Sequence, residues 1–297
     1  MKKIFSLLAM ATVLFASSCS KTTENVAPEN DETPITLSPE FADLQNSLYE
    51  LNQEMMPSLA ETRGWPKWPR WILVGACDAL GGLVGHVATG SISGGIETGT
   101  EASTWAYGQL FPKEYCSVSV TNLRPAELEF ASTIPTITDA QGAMVGMIHN
   151  DLIRNAYNEV GGELFEMNSG QRMAMFRAAL PYEYKDDLPE TSVACNVQDF
   201  LYSPESGETT DEFFNGVCEK YPEAAQEILT VKPILEGMDS APSDNAALRY
   251  IIRAMRTIEL SNIAPESKQA ILCGASIAFE SKMLWNIPND IRNKRLN

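Results

Sequence analysis

Apolar residues recur at helical spacing in the second half of the chain. The clearest case opens at Ser243 or Asp244 and carries four apolar residues, three or four positions apart, on one face: Leu248, Ile251, Met255 and Ile258. Such spacing brings side chains to one side of an α-helix, whereas a strand would alternate with a period of two. A helix is therefore expected from residue 243.

Capping and proline signals mark further helices. Thr209 and Glu212 match a capping box, and the same kinds of signal predict helices at residues 41–61, 138–160, 169–180, 210–219, 222–229 and 265–284. Ser169 is expected to cap the helix that it begins. Pro233 is expected to interrupt the chain after residue 229, because proline removes a helical hydrogen bond.

A tract of glycine and other small residues precedes most of these helices. Residues 72–110 contain no Lys or Arg, and several glycines fall four positions apart, a spacing that lets helix backbones approach closely. Each glycine inside a helix costs about 1 kcal/mol relative to alanine, so tight packing must offset that cost. We expect a small-residue helical hairpin within residues 65–110 that turns near Thr89–Ser91. Its candidate helix-packing residues are Gly81, Gly85, Gly90, Gly94, Gly95 and Gly99.

The predicted fold is thus mainly α. It is an irregular helical bundle that combines the small-residue hairpin with a helical C-terminal part at residues 138–290. Residues 112–135 between them are expected to be irregular or to include a short strand.

Two interpretations of the hairpin stay open. It is either the buried centre of a folded body or a segment that contacts a membrane. The tract resembles the glycine zippers of pore-forming and bacteriocin-like peptides, and WPKWPRW at residues 65–71 resembles tryptophan- and proline-rich membrane-active peptides. Asp78 and His86 count against insertion, since an aspartate alone costs about 3 kcal/mol at the centre of a bilayer. The buried core is the favoured interpretation.

The N-terminus has the anatomy of an export signal. Two lysines precede an apolar run from Ile4 to Ala16, which is shorter than the ~20 residues of a membrane-spanning helix. The segment FASSC at residues 15–19 resembles the lipobox of bacterial lipoproteins. That resemblance implies cleavage before Cys19 and acylation of Cys19. Two or three acyl chains form a durable anchor, because each buried methylene contributes about 0.8 kcal/mol.

The segment after Cys19 is expected to be a disordered acidic tether. Residues 19–40 are poor in apolar side chains and carry acidic residues and prolines. Ser20 differs from the aspartate that, in lipoproteins, marks inner-membrane retention, so the outer membrane is expected, with its periplasmic and surface faces both open. The chain then divides into a signal peptide (1–18), the tether (19–40) and a mainly helical body (41–297).

Net charge narrows the range of partners. Removal of residues 1–18 takes away two lysines and changes the net charge from −17 to −19. An acidic body repels nucleic-acid phosphates, which excludes nucleic acid as a partner. The expected partner is the lipid bilayer, through acylated Cys19, and a protein partner in the envelope stays open.

Candidate reactive side chains form no motif that specifies a reaction. The chain lacks GxSxG, HExxH, EF-hand and P-loop patterns, so no catalytic residue, metal site or cofactor is predicted. Cys195 and Cys218 flank a polar stretch and form the candidate disulfide. Cys77 and Cys273 are expected to be buried thiols. His149 is expected to be a hydrogen-bonded histidine of the core or surface, because neighbouring residues of a helix point in different directions.

Trp68–Gly95 and Gly146–Asn150 resemble segments of uncharacterised lipoproteins of Bacteroidota that carry a glycine-zipper-like segment. The resemblance implies no activity. The expected function is a lipid-anchored cell-envelope protein with a non-enzymatic binding or structural role. The alternatives are a membrane-active or toxin-like protein that uses residues 65–99 and, third, a hydrolase with a site assembled in space.

Overall fold

The computed structural model of the chain describes residues 35–55, 70–111, 140–186, 188 and 210–285. Of these residues, 87% are helical and none lies in a strand, which confirms the mainly α, irregular helical bundle. The signal peptide, most of the predicted tether and the segment 112–135 lie outside the described residues.

The described residues form nine α-helices: α1 (Pro39–Met55), α2 (Arg70–Thr89), α3 (Ile92–Leu110), α4 (Ala140–Val160), α5 (Ser169–Ala179), α6 (Thr210–Lys220), α7 (Ala225–Ser240), α8 (Asp244–Leu260) and α9 (Pro265–Leu284). Short 3-10 turns occupy Gly161–Phe165, Tyr182–Tyr184 and Pro222–Ala224. The helices predicted near 138–160, 210–219 and 265–284 are confirmed, as is the helix that Ser243 caps.

Helices α2 and α3 form the predicted hairpin. The turn between them is Gly90–Ser91, where Gly90 has a φ of 65°, a left-handed conformation that glycine adopts without strain. Ser91 then begins α3 as its N-cap, because its hydroxyl accepts a hydrogen bond from Gly94 N at 3.0 Å. The chain therefore reverses direction within two residues, and the two helices can pack along their length.

The hairpin and α9 form the centre of the body. Helix α2 packs along both α3 and α9, and α4 lies against α9 and α3. Helix α7 packs on α2 and α9, α8 packs on α9, and α1 and α6 pack on α7. Helix α5 and its flanking 3-10 turns cover α3. The least polar helices are thus wrapped by amphipathic ones, as burial of apolar area requires.

Two predicted helix boundaries are wrong. Asn168, and not Ser169, caps α5, since its side chain accepts from Gln171 N at 3.0 Å and Gln171 completes a capping box. Pro233 does not end its helix, because α7 continues through it to Ser240. Proline frees the carbonyl of Leu229, and Gln45 Nε2 of α1 donates to that oxygen at 2.9 Å. A partner from another helix therefore satisfies the group that proline leaves without its usual donor.

Candidate functional site

The hairpin glycines were the most distinctive sequence feature, and two of them meet α3 directly. A Cβ atom at Gly81 would lie 2.7 Å from Ala102 Cβ, and one at Gly85 would lie 2.6 Å from Gly94 O. Real Cβ atoms essentially never make contacts shorter than 3.0 Å. Both positions on α2 thus have room only for hydrogen, which allows the two backbones to approach closely.

Two further glycines lie on α3 where it faces α2 and α9. A Cβ atom at Gly95 would lie 2.8 Å from Gly82 O, and one at Gly99 would lie 2.8 Å from Ile277 Cδ1. Gly82, which the four-residue spacing did not single out, is itself in contact with the Ile277 side chain. The small-residue surface is therefore shared by three helices rather than by the hairpin alone.

Gly90 serves the turn instead, and Gly94 packs where the two helices diverge from it. Gly90 was grouped with the packing glycines, but no atom lies within 4 Å of its Cβ position, and its positive φ makes it a turn residue. A Cβ atom at Gly94 would meet the Thr89 side chain at the end of α2. The expectation that Gly90 packs helix against helix is corrected, since Gly90 belongs to the turn, whereas Gly94 lies in the first turn of α3 and faces Gly85 and Thr89 of α2.

Helix α2 is long and apolar enough to span a membrane, by length and composition alone. Ile72–Thr89 has 18 residues with a mean hydropathy of 1.5, and 83% of this segment is buried inside the protein. The central helix of a globular body has the same length and composition, so the decisive property is its burial. Within the described ranges the small-residue hairpin is enclosed by protein.

Asp78 lies on α2 in the middle of this enclosed region. It has no exposed surface, and its Oδ2 accepts a hydrogen bond from Ser281 Oγ of α9. Burial raises the pKa of Asp78 to about 8, against opposing contributions from the Ser281 and Ser103 hydroxyls and the Trp285 indole. The carboxyl is therefore mostly neutral at pH 7.

His149 and Asn150 connect α4 to α9. His149 Nδ1 and Asn150 Oδ1 lie 3.0 Å apart, and Asn150 Nδ2 donates to Glu280 O at 3.0 Å and to Glu280 Oε2 at 3.1 Å. The histidine is thus hydrogen-bonded in the core, one of the two places expected for it. The expectation that adjacent residues point apart was wrong here, because the short asparagine side chain reaches the neighbouring ring.

The environment of His149 is unsuited to acid–base chemistry. Its side chain is completely buried, and burial lowers its pKa to about 4, although the Asn150 contact partly opposes this shift. A general base must reach a substrate proton, and its pKa must lie near the working pH. His149 meets neither condition in this arrangement.

Two ion pairs join α3 to α5. Arg172 Nε donates to Glu101 Oε2 at 2.8 Å and Arg172 Nη2 to Glu101 Oε1 at 2.5 Å, and both side chains are almost fully buried. One turn earlier on α3, Glu97 pairs with Arg177, whose Nη2 lies 2.9 Å from Glu97 Oε2. Bidentate geometry makes both pairs strong and specific.

Sequence reasoning missed these ion pairs. The available signal was the pair of glutamates four residues apart, in a stretch of 39 residues that contains no Lys or Arg. Two acids at that spacing share a helix face and repel each other unless basic groups face them. The arginines come from a helix about 75 residues further along the chain, so spacing alone did not identify them.

The cysteines described by the structure are inert. Cys77, Cys218 and Cys273 are buried thiols, and burial raises the pKa of each, that of Cys218 to about 12. Cys218 Sγ lies 3.6 Å from Ala225 O within the core, and its expected disulfide partner, Cys195, lies outside the described residues. Neutral, enclosed thiols are poor nucleophiles, which argues against a hydrolase built on these three.

A shallow apolar notch opens beside Gly75, between α2, α7 and α9. It is lined by Ile72, Gly75, Leu235, Met238, Ala278 and Lys282, and it encloses about 10 Å³. That volume suits about one water molecule rather than a substrate. Among the described residues, no three His, Cys, Asp or Glu side chains are placed to hold a metal ion.

The polar residues inside the bundle therefore act mainly on one another and connect helices. Comparison of the chain with protein-family models, with curated proteins and with solved structures found no match.

Proposed function

We propose that the protein is a lipoprotein held in the outer membrane through acylated Cys19, and that its body has a non-enzymatic binding or structural role. The observation that carries this proposal is the burial of the small-residue hairpin, which serves as the core of the body. A buried hairpin favours a body that folds around it over a segment that acts on membranes.

The polar groups of the core support the same proposal. Glu97 and Glu101 are neutralised by arginines, and His149 is enclosed within the protein. Catalysis needs polar groups that a substrate can reach, whereas these contribute to the fixed arrangement of helices. Binding would then use the outer surface of a rigid body whose net charge is strongly negative.

Lipid attachment is tested by metabolic labelling with a clickable fatty acid. Cys19→Ala should lose the label and appear in the soluble fraction, because the acyl chains provide the anchor. Cys218→Ala, a matched change at a buried thiol, should keep both the label and the membrane fraction. Equal labelling of wild type and Cys19→Ala would refute the anchor.

The alternative is a membrane-active protein that uses residues 65–99. The apolar composition of α2 favours it, but α3 would have to follow α2 into the bilayer with Glu97 and Glu101. Transfer of those carboxylates would break two ion pairs with α5. The acidic body would also be repelled by anionic lipid.

A dye-leakage assay separates these functions. The unlipidated chain lacking residues 1–40 should release no dye from neutral or anionic vesicles at pH 5 or pH 7. As a control, detergent added to the same vesicles confirms that they hold dye that can be released. Leakage that disappears in the Trp68→Ala, Trp71→Ala double variant would favour the membrane-active function.

A further inference from the structure

The Asp78 carboxyl lies where α2, α3 and α9 meet, and its hydrogen bonds have a fixed direction. Trp285 Nε1 donates to Ser281 Oγ at 3.1 Å, and Ser281 Oγ donates to Asp78 Oδ2. Since Oδ2 accepts the single hydroxyl hydrogen of Ser281, the proton of a neutral carboxyl belongs on the other oxygen, Oδ1.

The atoms on the other side of the carboxyl fit a neutral acid. Asp78 Oδ1 and Ser103 Oγ are both buried, and neither has a hydrogen-bond partner in the described part of the chain. The Ser103 hydroxyl belongs to α3 and is one of the groups that affect the pKa of Asp78. A protonated Oδ1 is a donor and a serine hydroxyl is an acceptor, so the neutral acid can satisfy both atoms.

Charged groups on the surrounding helices are engaged elsewhere. Helix α3 directs its glutamates to α5, and several other titratable groups of the helices around α2 also have partners. These are Glu280 with Asn150, His149 with Asn150, Lys282 with Met238 O, Glu227 with Ser267, and Lys232 with Glu236 and Asp211. An ionised Asp78 would therefore lack a cation to neutralise it among these groups.

Water is also kept away from Asp78. One and two turns further along α2, Gly81 and Gly85 hold α3 at a distance that leaves no room for a methyl group. Solvation of a carboxylate would require these helices to separate. The cost of ionisation is thus tied to the packing of the hairpin.

We propose that Asp78 is a proton-dependent lock of the hairpin: its carboxyl keeps α2, α3 and α9 packed while it holds its proton, and the three helices loosen when the proton is lost. The change would reach the end of the hairpin through Ser281 and Trp285. Trp285 stacks on Tyr107 with ring centres 4.0 Å apart and an angle of 14° between the planes. A change in packing around Asp78 should therefore change the environment of this indole, which spectroscopy can detect.

The direction of the pH effect follows from proton binding. Burial raises the pKa of Asp78 in the folded protein to about 8, above its ordinary value of 3.8. Between these values the folded state holds a proton that the unfolded state has released, so stability falls as pH rises. The fall ends once the folded protein has also lost the proton, above about pH 8. The stabilising contribution of Asp78 is therefore complete below about pH 4 and is lost progressively up to about pH 8, where the folded protein itself releases the proton.

Thermal unfolding of the mature lipidated chain in neutral detergent tests the proposal. The melting temperature of the wild type should fall by about 5 °C between pH 6.5 and pH 9. Asp78→Asn, which keeps the shape and cannot ionise, should lose that fall. Asp43→Asn makes the same chemical change at an exposed position on α1 and should retain it. An equal fall in Asp78→Asn and wild type would overturn the proposal.

A second measurement covers the case in which Asp78→Asn does not fold. The near-ultraviolet circular dichroism of the wild type should change with a midpoint near pH 8, and Trp285→Phe should lose most of that change. Ser281→Ala removes a hydrogen bond that favours the ionised carboxyl, so the midpoint should move to higher pH. A midpoint that stays in place or moves to lower pH in Ser281→Ala would overturn the proposal.

Discussion

Helices α3 and α8 have similar lengths, 19 and 17 residues, but they are buried in different ways. Helix α8 buries one stripe of mostly apolar side chains and exposes the opposite face to solvent. Helix α3 is buried on most of its circumference, and its buried residues include glycines, threonines and two glutamates. One helix is held by apolar area and the other by close backbone contact and ion pairs.

This difference predicts which substitutions each helix tolerates. A stripe helix such as α8 loses stability when a large apolar side chain is shortened. Helix α3 has few large side chains to lose, and it is instead sensitive to any added volume or unpaired charge. The same substitution should thus have unequal effects in the two regions, and the predictions below compare matched sites.

The largest effect is expected from the ion pairs. Arg172→Met leaves Glu101 buried without its bidentate partner, which should cost about 3–5 kcal/mol of unfolding free energy. The matched change in α8 is Arg253→Met, where Arg253 makes a bidentate pair with Glu54 of α1, and the two side chains are 47% and 62% exposed. That pair should contribute little to stability, because solvent screens the two charges.

Urea unfolding of both variants measures this comparison. Glu101→Gln added to Arg172→Met removes the buried charge and should recover part of the loss. Equal destabilisation by Arg172→Met and Arg253→Met would contradict the distinction between the two helices.

A smaller effect is expected from added volume. Gly85→Leu forces a side chain against the backbone of Gly94 and should cost on the order of 3 kcal/mol. Gly75 is the control on the same helix, since no atom lies within 4 Å of its Cβ position. Gly75→Ala should raise stability by about 0.5–1 kcal/mol through helix propensity. Melting curves that are alike for the two variants would show that the hairpin is not closely packed.

The smallest effect concerns His149 and appears as a pH dependence. Its pKa is lowered to about 4 in the folded protein from an ordinary 6.5, so the unfolded chain takes up the proton first on acidification. The neutral ring therefore contributes stability that is present above pH 6.5 and is lost as pH falls toward 4. The contribution of Asp78 to stability increases as pH falls over this range, so it partly offsets the loss from His149.

A difference measurement isolates the histidine. The stability of the wild type minus that of His149→Gln should shrink by about 2 kcal/mol between pH 7 and pH 5. Any fixed cost of the substitution cancels in this comparison, since it is present at both pH values. A difference that is constant with pH would place His149 in solvent.

The sequence predicted the regular parts of this fold. Helix α8 was found from four apolar residues at helical spacing, and α9 from Pro265 at its first position. The hairpin turn followed from the glycine spacing, although Gly90 was assigned to packing rather than to the turn. Local signals sufficed in these cases because each depends on residues within a few turns.

The features that the sequence did not predict depend on partners that are distant along the chain. Pro233 was taken as a helix stop, yet Gln45, 184 residues from Leu229, satisfies the carbonyl that proline frees. The partners of Glu97 and Glu101 lie on α5, and Ser281 lies 203 residues from Asp78. Residue spacing carries no information on which helices meet, so the polar site inside the bundle required the structure.

Hydrogen–deuterium exchange is the most direct test that the hairpin is the core of the body. The Cys19→Ala chain in aqueous buffer, without lipid or detergent, is the sample, and exchange is followed by mass spectrometry of its peptides. Amides of α2 and α3 should be among the slowest to exchange, together with those of α9, because they open only with global unfolding. Rapid exchange across α2 and α3 in the absence of lipid, while α7 and α8 stay protected, would contradict the account.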